Sequence, residues 1–277
     1  MNLVVQGPGL SPVALQALVD LTRPAGITPL GAQACCLTAA QAHPELAERC
    51  EALGVDHAFI PATRRLGDFG LFVTDMDSTL ITIECIDEIA DMQGLKPKVA
   101  EITEAAMRGE LEFRESLTRR VALLKGLPEA ALARVFAERL QLNPGAETLL
   151  AGLKQAGIRT VLVSGGFTYF TDRLQQQLGF DYAYANQLEV ENGLLTGRVT
   201  GPVIDAEAKR ETLIRIRTEL GLAPSAVVAA GDGANDLPML GEAGVGVAYH
   251  AKPVVRAQAS HALNHTGLDG ILHLLGQ

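Results

Sequence analysis

The sequence predicts an α/β fold: a doubly wound, mostly parallel sheet with an inserted helical cap, preceded by a small α+β domain. Three observations carry that expectation. Short apolar runs suited to strands buried on both faces alternate with helix-length amphipathic segments, the pattern of a parallel sheet covered by helices. A block of purely helical character, about 84–140, interrupts the alternation after its first strand. The first 66 residues make a strand-and-helix series of their own that ends among breakers, which divides the chain into 1–66 and 67–277.

The N-terminal series reads as a strand at 3–6, a helix at 11–21, one apolar strand over 27–37, a helix at 44–53 and a strand at 57–60. Residues 61–68 are a linker, and 69–74 form the first buried strand of the larger unit. In the helical block the breaks fall at Gly94, Gly109 and Gly126-Leu-Pro128. Asn143-Pro144 opens the next helix, with proline at its first position, and Gly157 closes it. A strand at 158–163 and a helix at 167–178 follow. A hairpin, 187–190 and 194–199, turns on Asn192-Gly193. Helix 205–220, strand 226–230, helix 235–241 and strand 245–248 extend the series.

Composition narrows the function. Of 277 residues, 48% are hydrophobic and 20% charged, a foldable balance without the signature of disorder. The net charge of −9 excludes the basic footprint that nucleic acids require, and obliges any anionic ligand to find its cations locally. Cys35, Cys36, Cys50 and Cys85 form no CxxC pair and read as free thiols. No apolar run approaches the roughly 20 residues of a membrane span, so a cytoplasmic setting is the expectation.

In a doubly wound sheet ligands collect beyond the carboxyl ends of the strands. Three such ends carry polar residues. The first is Asp75-Met-Asp77-Ser-Thr79, whose two carboxylates either cap the next turn or share a cation, for which Mg²⁺ is the natural hard partner. The second is Ser164-Gly-Gly166, a hydroxyl and backbone amides at a helix start, which suits an anion or is an ordinary turn. The third is Gly231-Asp-Gly-Ala-Asn-Asp236, where two glycines allow a sharp turn around Asp232, with Asn235 at the next helix start. Two cations stand out. Arg120 shares a helical stripe with Phe113, Leu117 and Leu124, whereas Arg114 and Arg119 fall off it. Lys209 shares a stripe with Leu213, Ile216 and Leu220, yet lies in a first helical turn where the dipole opposes it.

Together these elements resemble the haloacid dehalogenase superfamily, whose phosphatases carry a D-x-D-x-[TV] nucleophile motif. Asp75-Met-Asp-Ser-Thr79 matches it, and Ser164, Lys209 and 231–236 match the remaining motifs in order. Glu84, Ala106-Met-Arg-Gly109, Phe113, Ser116-Leu117, 119–125 and Val163-Ser-Gly-Gly-Phe167 resemble the phosphoserine phosphatase branch. The resemblance implies that Asp75 is a nucleophile forming an aspartyl phosphate and that Asp77 serves as general acid, then base. It implies Mg²⁺ held by the carboxylates of Asp75 and Asp232 and the carbonyl of Asp77. Ser164, Gly165, Lys209 and Asn235 would hold the phosphoryl group, Glu84 the ammonium and Arg120 the carboxylate of O-phosphoserine, with Met107 and Phe113 lining the cap. It further implies a place at the last step of serine biosynthesis. Transfer to an alcohol, or another small phosphomonoester, stays open. The N-terminal segment resembles a small ACT-like regulatory domain of βαββαβ order, but only about three strands can be placed; amino-acid binding and a packing or homodimer role both stay open.

Overall fold

The computed structural model describes residues 1–107 and 110–276, Met107 by its backbone alone. The N-terminal unit runs β1 (Asn2–Gln6), α1 (Pro12–Thr22), β2 (Gly26–Gly31), β3 (Ala34–Thr38), α2 (Leu46–Leu53) and β4 (Asp56–Ile60). Its antiparallel sheet has the order β2-β3-β1-β4. The single strand expected over 27–37 is therefore two, a hairpin turning at Ala32-Gln33 between paired Gly31 and Ala34. That turn lacks an Asn-Gly or Asp-Gly signal, so the apolar run reads as continuous. With it, the unit has the full βαββαβ order. Cys35 is buried and Cys36 only half-buried, as alternation along a strand requires.

The larger unit opens with β5 (Leu71–Thr74), followed by the cap helices α3 (Cys85–Asp91), α4 (Lys96–Met107), α5 (Phe113–Ala122) and α6 (Ala130–Glu138). The chain then makes α7 (Ala146–Gln155), β6 (Arg159–Phe167), α8 (Thr168–Leu178), β7 (Tyr182–Glu191) and β8 (Leu194–Thr200). It ends with α9 (Ala206–Glu219), β9 (Val227–Gly231), α10 (Leu237–Glu242), β10 (Val245–Tyr249), α11 (Pro253–Arg256), β11 (His261–Leu263) and α12 (Gly270–Leu274). The seven-stranded sheet has the order β11-β10-β9-β5-β6-β7-β8, and only the β7–β8 pair is antiparallel. Period-2 alternation divides the core. Leu71 and Val73 pack with Leu213 and Ile216 of α9. Phe72 packs on the other face with Leu149 and Leu153 of α7 and Phe170 of α8. Among the described residues no helix is long and apolar enough to cross a membrane.

Asn143 does not open a helix. Gly145 caps α7 instead, and Asn143 Nδ2 lies 2.8 Å from the Thr79 carbonyl and 3.2 Å from that of Ile81. The cap's two connections pair with each other, Thr82 N donating to Gln141 O at 2.9 Å and Asn143 N to Leu80 O at 2.9 Å.

A buried carboxylate helps to join the two units. Asp56, 3% exposed, accepts from the amides of Asn264 (2.7 Å), His265 (3.0 Å) and Thr266 (2.9 Å) and from the Thr266 hydroxyl (2.7 Å). Gln6 adds a bond to the Gly270 carbonyl at 3.1 Å. Because Asp56→Ala would strand three amides, it is expected to lower stability by about 3 kcal/mol or more in urea unfolding, with Asp56→Asn costing less.

Candidate active site

The Asp75 amide donates to Ala230 O at 3.0 Å, so the β5–β9 ladder carries on to this residue and sets its backbone rigidly. Asp75 Oδ1 accepts from Met76 N at 2.8 Å and from Lys209 Nζ at 2.8 Å. Lys209 is 1% exposed and sits among Leu213 and Ile216, both 0%; its stripe on α9 points inward because it meets buried carboxylates there. The second is Asp236, 2.7 Å from Nζ, whose Oδ2 accepts from Gly233 N at 3.0 Å. The chain bends at Asp232 and Gly233 as expected, although neither Gly231 nor Gly233 adopts positive φ. What Gly231 supplies is room, since a Cβ there would lie 2.5 Å from the Asp236 carboxyl carbon.

Asp232 faces Asp75 from the neighbouring strand end, and Thr79 Oγ1 donates to its Oδ1 at 2.8 Å. One carboxylate oxygen from each of Asp75, Asp232 and Asp236 lies within 4.8 Å of the others. Burial, then the Asp236 charge, pushes Asp75 well above the usual carboxylate range, while Lys209 pulls it back. The same two causes push Asp232 up to about 6. Burial opposes the charge on Lys209, but Asp236 and Asp75 outweigh it and keep the ammonium firmly protonated. Three acids sharing one lysine leave a net negative pocket of hard oxygen donors, which fits a divalent cation. Asp236 has no counterpart in the sequence-derived metal set; its place just past Asp232 reads there as a helix start.

The Asp77 carboxylate is not in this group. Its Oδ1 accepts from Cys85 N at 2.9 Å and its Oδ2 from Ser164 Oγ at 3.3 Å. Burial pushes its pKa up. Ser164 and Gly165 stand near the end of the strand that leads directly into α8. They lie within β6, whose register with β7 shifts between Val163 and Phe167. Asn186, buried and without a sequence signal, holds this irregular stretch, donating to Gly165 O and accepting from Ile204 N, both at 2.8 Å. Gly166 leaves room for the Asp77 carboxylate, since a Cβ there would lie 2.5 Å from Asp77 Oδ2 and displace it.

Asp75, Asp77, Ser164, Gly165, Asp232 and Asn235 line the floor of a cavity of about 120 Å³. Glu84, Phe113 and Arg120 line its wall from the cap. The Phe113 ring lies directly over Gly165, with Cζ 3.2 Å from where a Cβ would stand. Arg120 is half-buried, and among the described residues no carboxylate pairs with it; burial lowers its pKa while the Glu84 charge opposes. Desolvation by the surrounding walls and then the Asp77 charge push Glu84 up to about 8, although its side chain still reaches solvent. Arg114 and Arg119 stay outside, paired with Asp205 and Glu115. Met107, expected in the cap lining, lies outside the described side chains.

The haloacid dehalogenase-like hydrolase family model matches residues 72–241. A relative named phosphoserine phosphatase from Polaromonas sp. is 56% identical over 216 residues, 76% of this chain and 92% of its own. A HAD family hydrolase from Salmonella enterica subsp. enterica serovar Typhi superposes with a TM-score of 0.89 at 35% identity, covering 100% of this chain and 99% of that one. The unliganded probable phosphoserine phosphatase from Vibrio cholerae has a TM-score of 0.87 at 41% identity, covering 99% and 86%. A matched family model spanning β5 to α10, with every loop of the site inside it, leaves one conclusion: the chain belongs to the haloacid dehalogenase-like hydrolases.

Proposed function

We propose that the protein hydrolyses O-phosphoserine to serine and phosphate, as the name of its Polaromonas relative suggests, at the last step of serine biosynthesis. The observation that carries the reading is the composition of one cavity. A carboxylate held by a buried lysine forms its floor, and a glutamate and an arginine that pairs with no carboxylate among the described residues form its wall. A substrate bearing phosphate, ammonium and carboxylate needs those three kinds of group.

In this reading Asp75 attacks phosphorus, forming an aspartyl phosphate as the ester P–O bond breaks. Asp77, whose raised pKa suits a proton donor, protonates the leaving serine oxygen and then takes a proton from the water that hydrolyses the acyl phosphate. Lys209, Ser164, the Gly165 amide and Asn235 hold the phosphoryl oxygens. Asp75 and Asp232, with Asp236 beside them and the Asp77 carbonyl, would hold Mg²⁺. When bound, the cation neutralises charge on the transferring group. Glu84 takes the ammonium and Arg120 the carboxylate, two-pronged, so lysine would replace it poorly. Residues 1–66 form an ACT-like unit in this reading.

Asp75→Asn is expected to reduce phosphate release by on the order of 10³-fold or more while circular dichroism stays native. Wild-type turnover in that variant would remove the nucleophile. Arg120→Ala should lose about 10- to 100-fold in kcat/KM on O-phosphoserine and clearly less on an aryl phosphate, which lacks the carboxylate. Equal losses would contradict its role.

The cation is tested by linkage. Asp232 has a folded pKa raised to about 6, above the unfolded value of about 4. The folded state therefore holds the proton more tightly, and metal-free stability falls as pH rises through that window. Mg²⁺ binds the ionised form, so its gain in Tm over EDTA should be larger at pH 8 than at pH 5. A gain no larger at pH 8 would argue against a carboxylate-held ion.

A further inference from the structure

Ser78 sits between the two motif aspartates and Thr79, and the reaction above leaves its hydroxyl without a task. Its backbone is the unusual feature. φ is 56°, the left-handed region that a residue with a Cβ seldom enters unless its surroundings impose it. The imposing contacts are visible. Ser78 N donates to Ile83 O at 3.2 Å, closing a tight loop over 78–83. Asn143 reaches in from the cap's return connection, its Nδ2 2.8 Å from Thr79 O, 3.2 Å from Ile81 O and 3.4 Å from Ser78 O. One amide group thus gathers three carbonyls of the same loop.

The result appears at Glu84. Ser78 Oγ lies 2.6 Å from Glu84 Oε1, a short hydroxyl-to-carboxylate bond. Glu84 precedes α3 with an extended backbone and makes no capping bond of its own, so nothing in the helix end orients its carboxylate. A glutamate at the edge of a cavity has several rotamers to lose when it captures a ligand, and a hydroxyl that already fixes one oxygen removes much of that cost.

We propose that Ser78 is a positioning residue for recognition of the substrate's primary ammonium: held left-handed by the loop that Asn143 grips, its hydroxyl orients Glu84 toward the cavity. This rests on the reading of Glu84 as the ammonium site. It makes the D-M-D-S-T segment serve two ends, chemistry through the aspartates and amine selectivity through the serine. Asn143 contributes at one remove, through the shape of the loop.

The test is steady-state kinetics of Ser78→Ala and Ser78→Gly on three substrates. O-phosphoserine carries ammonium and carboxylate, O-phosphoethanolamine ammonium alone, and 4-nitrophenyl phosphate neither. Both variants lack the hydroxyl, but glycine accepts φ 56° without strain, so it folds at least as well as alanine and keeps the test alive if the alanine variant does not fold. KM for the two ammonium substrates should rise in both variants, with the loss in kcat/KM about tenfold greater than on 4-nitrophenyl phosphate. Ser78→Gly behaving as wild type on O-phosphoserine would reduce Ser78 to a backbone role and overturn the proposal. So would equal losses on all three substrates, while wild-type turnover of O-phosphoserine left the substrate reading intact. A wild-type protein that released no phosphate from O-phosphoserine would overturn the substrate reading and this proposal together.

Discussion

The structure depends on one buried ammonium. Lys209 Nζ stands between Asp75 and Asp236, with all three side chains essentially closed to water. A buried charge is tolerated only when it is met, and here it is met twice. The ammonium locks α9 to the ends of β5 and β9, holds the Asp75 carboxylate in place, and still leaves an excess of acid once Asp232 is counted. The excess makes a cation-seeking site out of what would otherwise be an ordinary ion pair. Gly231 follows from the same constraint, because a side chain there would displace Asp236.

The cavity belongs to two bodies of structure, and their relation is set at more than one place. At the hinge the cap's entry and exit pair through Thr82–Gln141 and Asn143–Leu80. On the far side the edge of β8 takes up the cap's 126–129 turn, with Gly126 N on Leu195 O and Leu195 N on Leu127 O, both at 2.8 Å. Near the cavity, Arg114 of α5 pairs with Asp205 at 2.9 Å, and Asp205 caps the helix that carries Lys209. Phe113 and Arg120 therefore approach the floor from a helix held at its sides. That arrangement suits chemistry in which water must be admitted sparingly.

The N-terminal unit touches none of this. Its polar contacts with the larger unit include those of Asp56 and Gln6, against the loop after β11 and α12, and its Val4, Ala58 and Ile60 share the larger unit's core. A carboxylate satisfied by three amides and a hydroxyl is a fixed joint rather than a swivel. The two units are thereby held in one orientation.

Much of this protein was legible from the residues alone. Helix spacing placed Lys209 and Arg120 inward, and strand-length apolar runs bounded by polar ends put Asp75, Ser164 and Asp232 where parallel strands finish, because amphipathic periodicity and strand burial are local properties of the chain. The hairpin inside 27–37 was not legible, since its turn carries no residue that demands a special backbone. Nor was the role of Asn143, which looks like a helix start beside proline and instead grips a loop some sixty residues earlier. Asp236 as a partner of Lys209, Asn186 beneath Gly165, and Asp56 across the two units depend on which distant groups folding brings to within three ångströms. Sequence determined which residues face inward; tertiary structure decided which of them meet, because a buried polar group is satisfied by whatever partner the packing delivers and not by its neighbours in the chain.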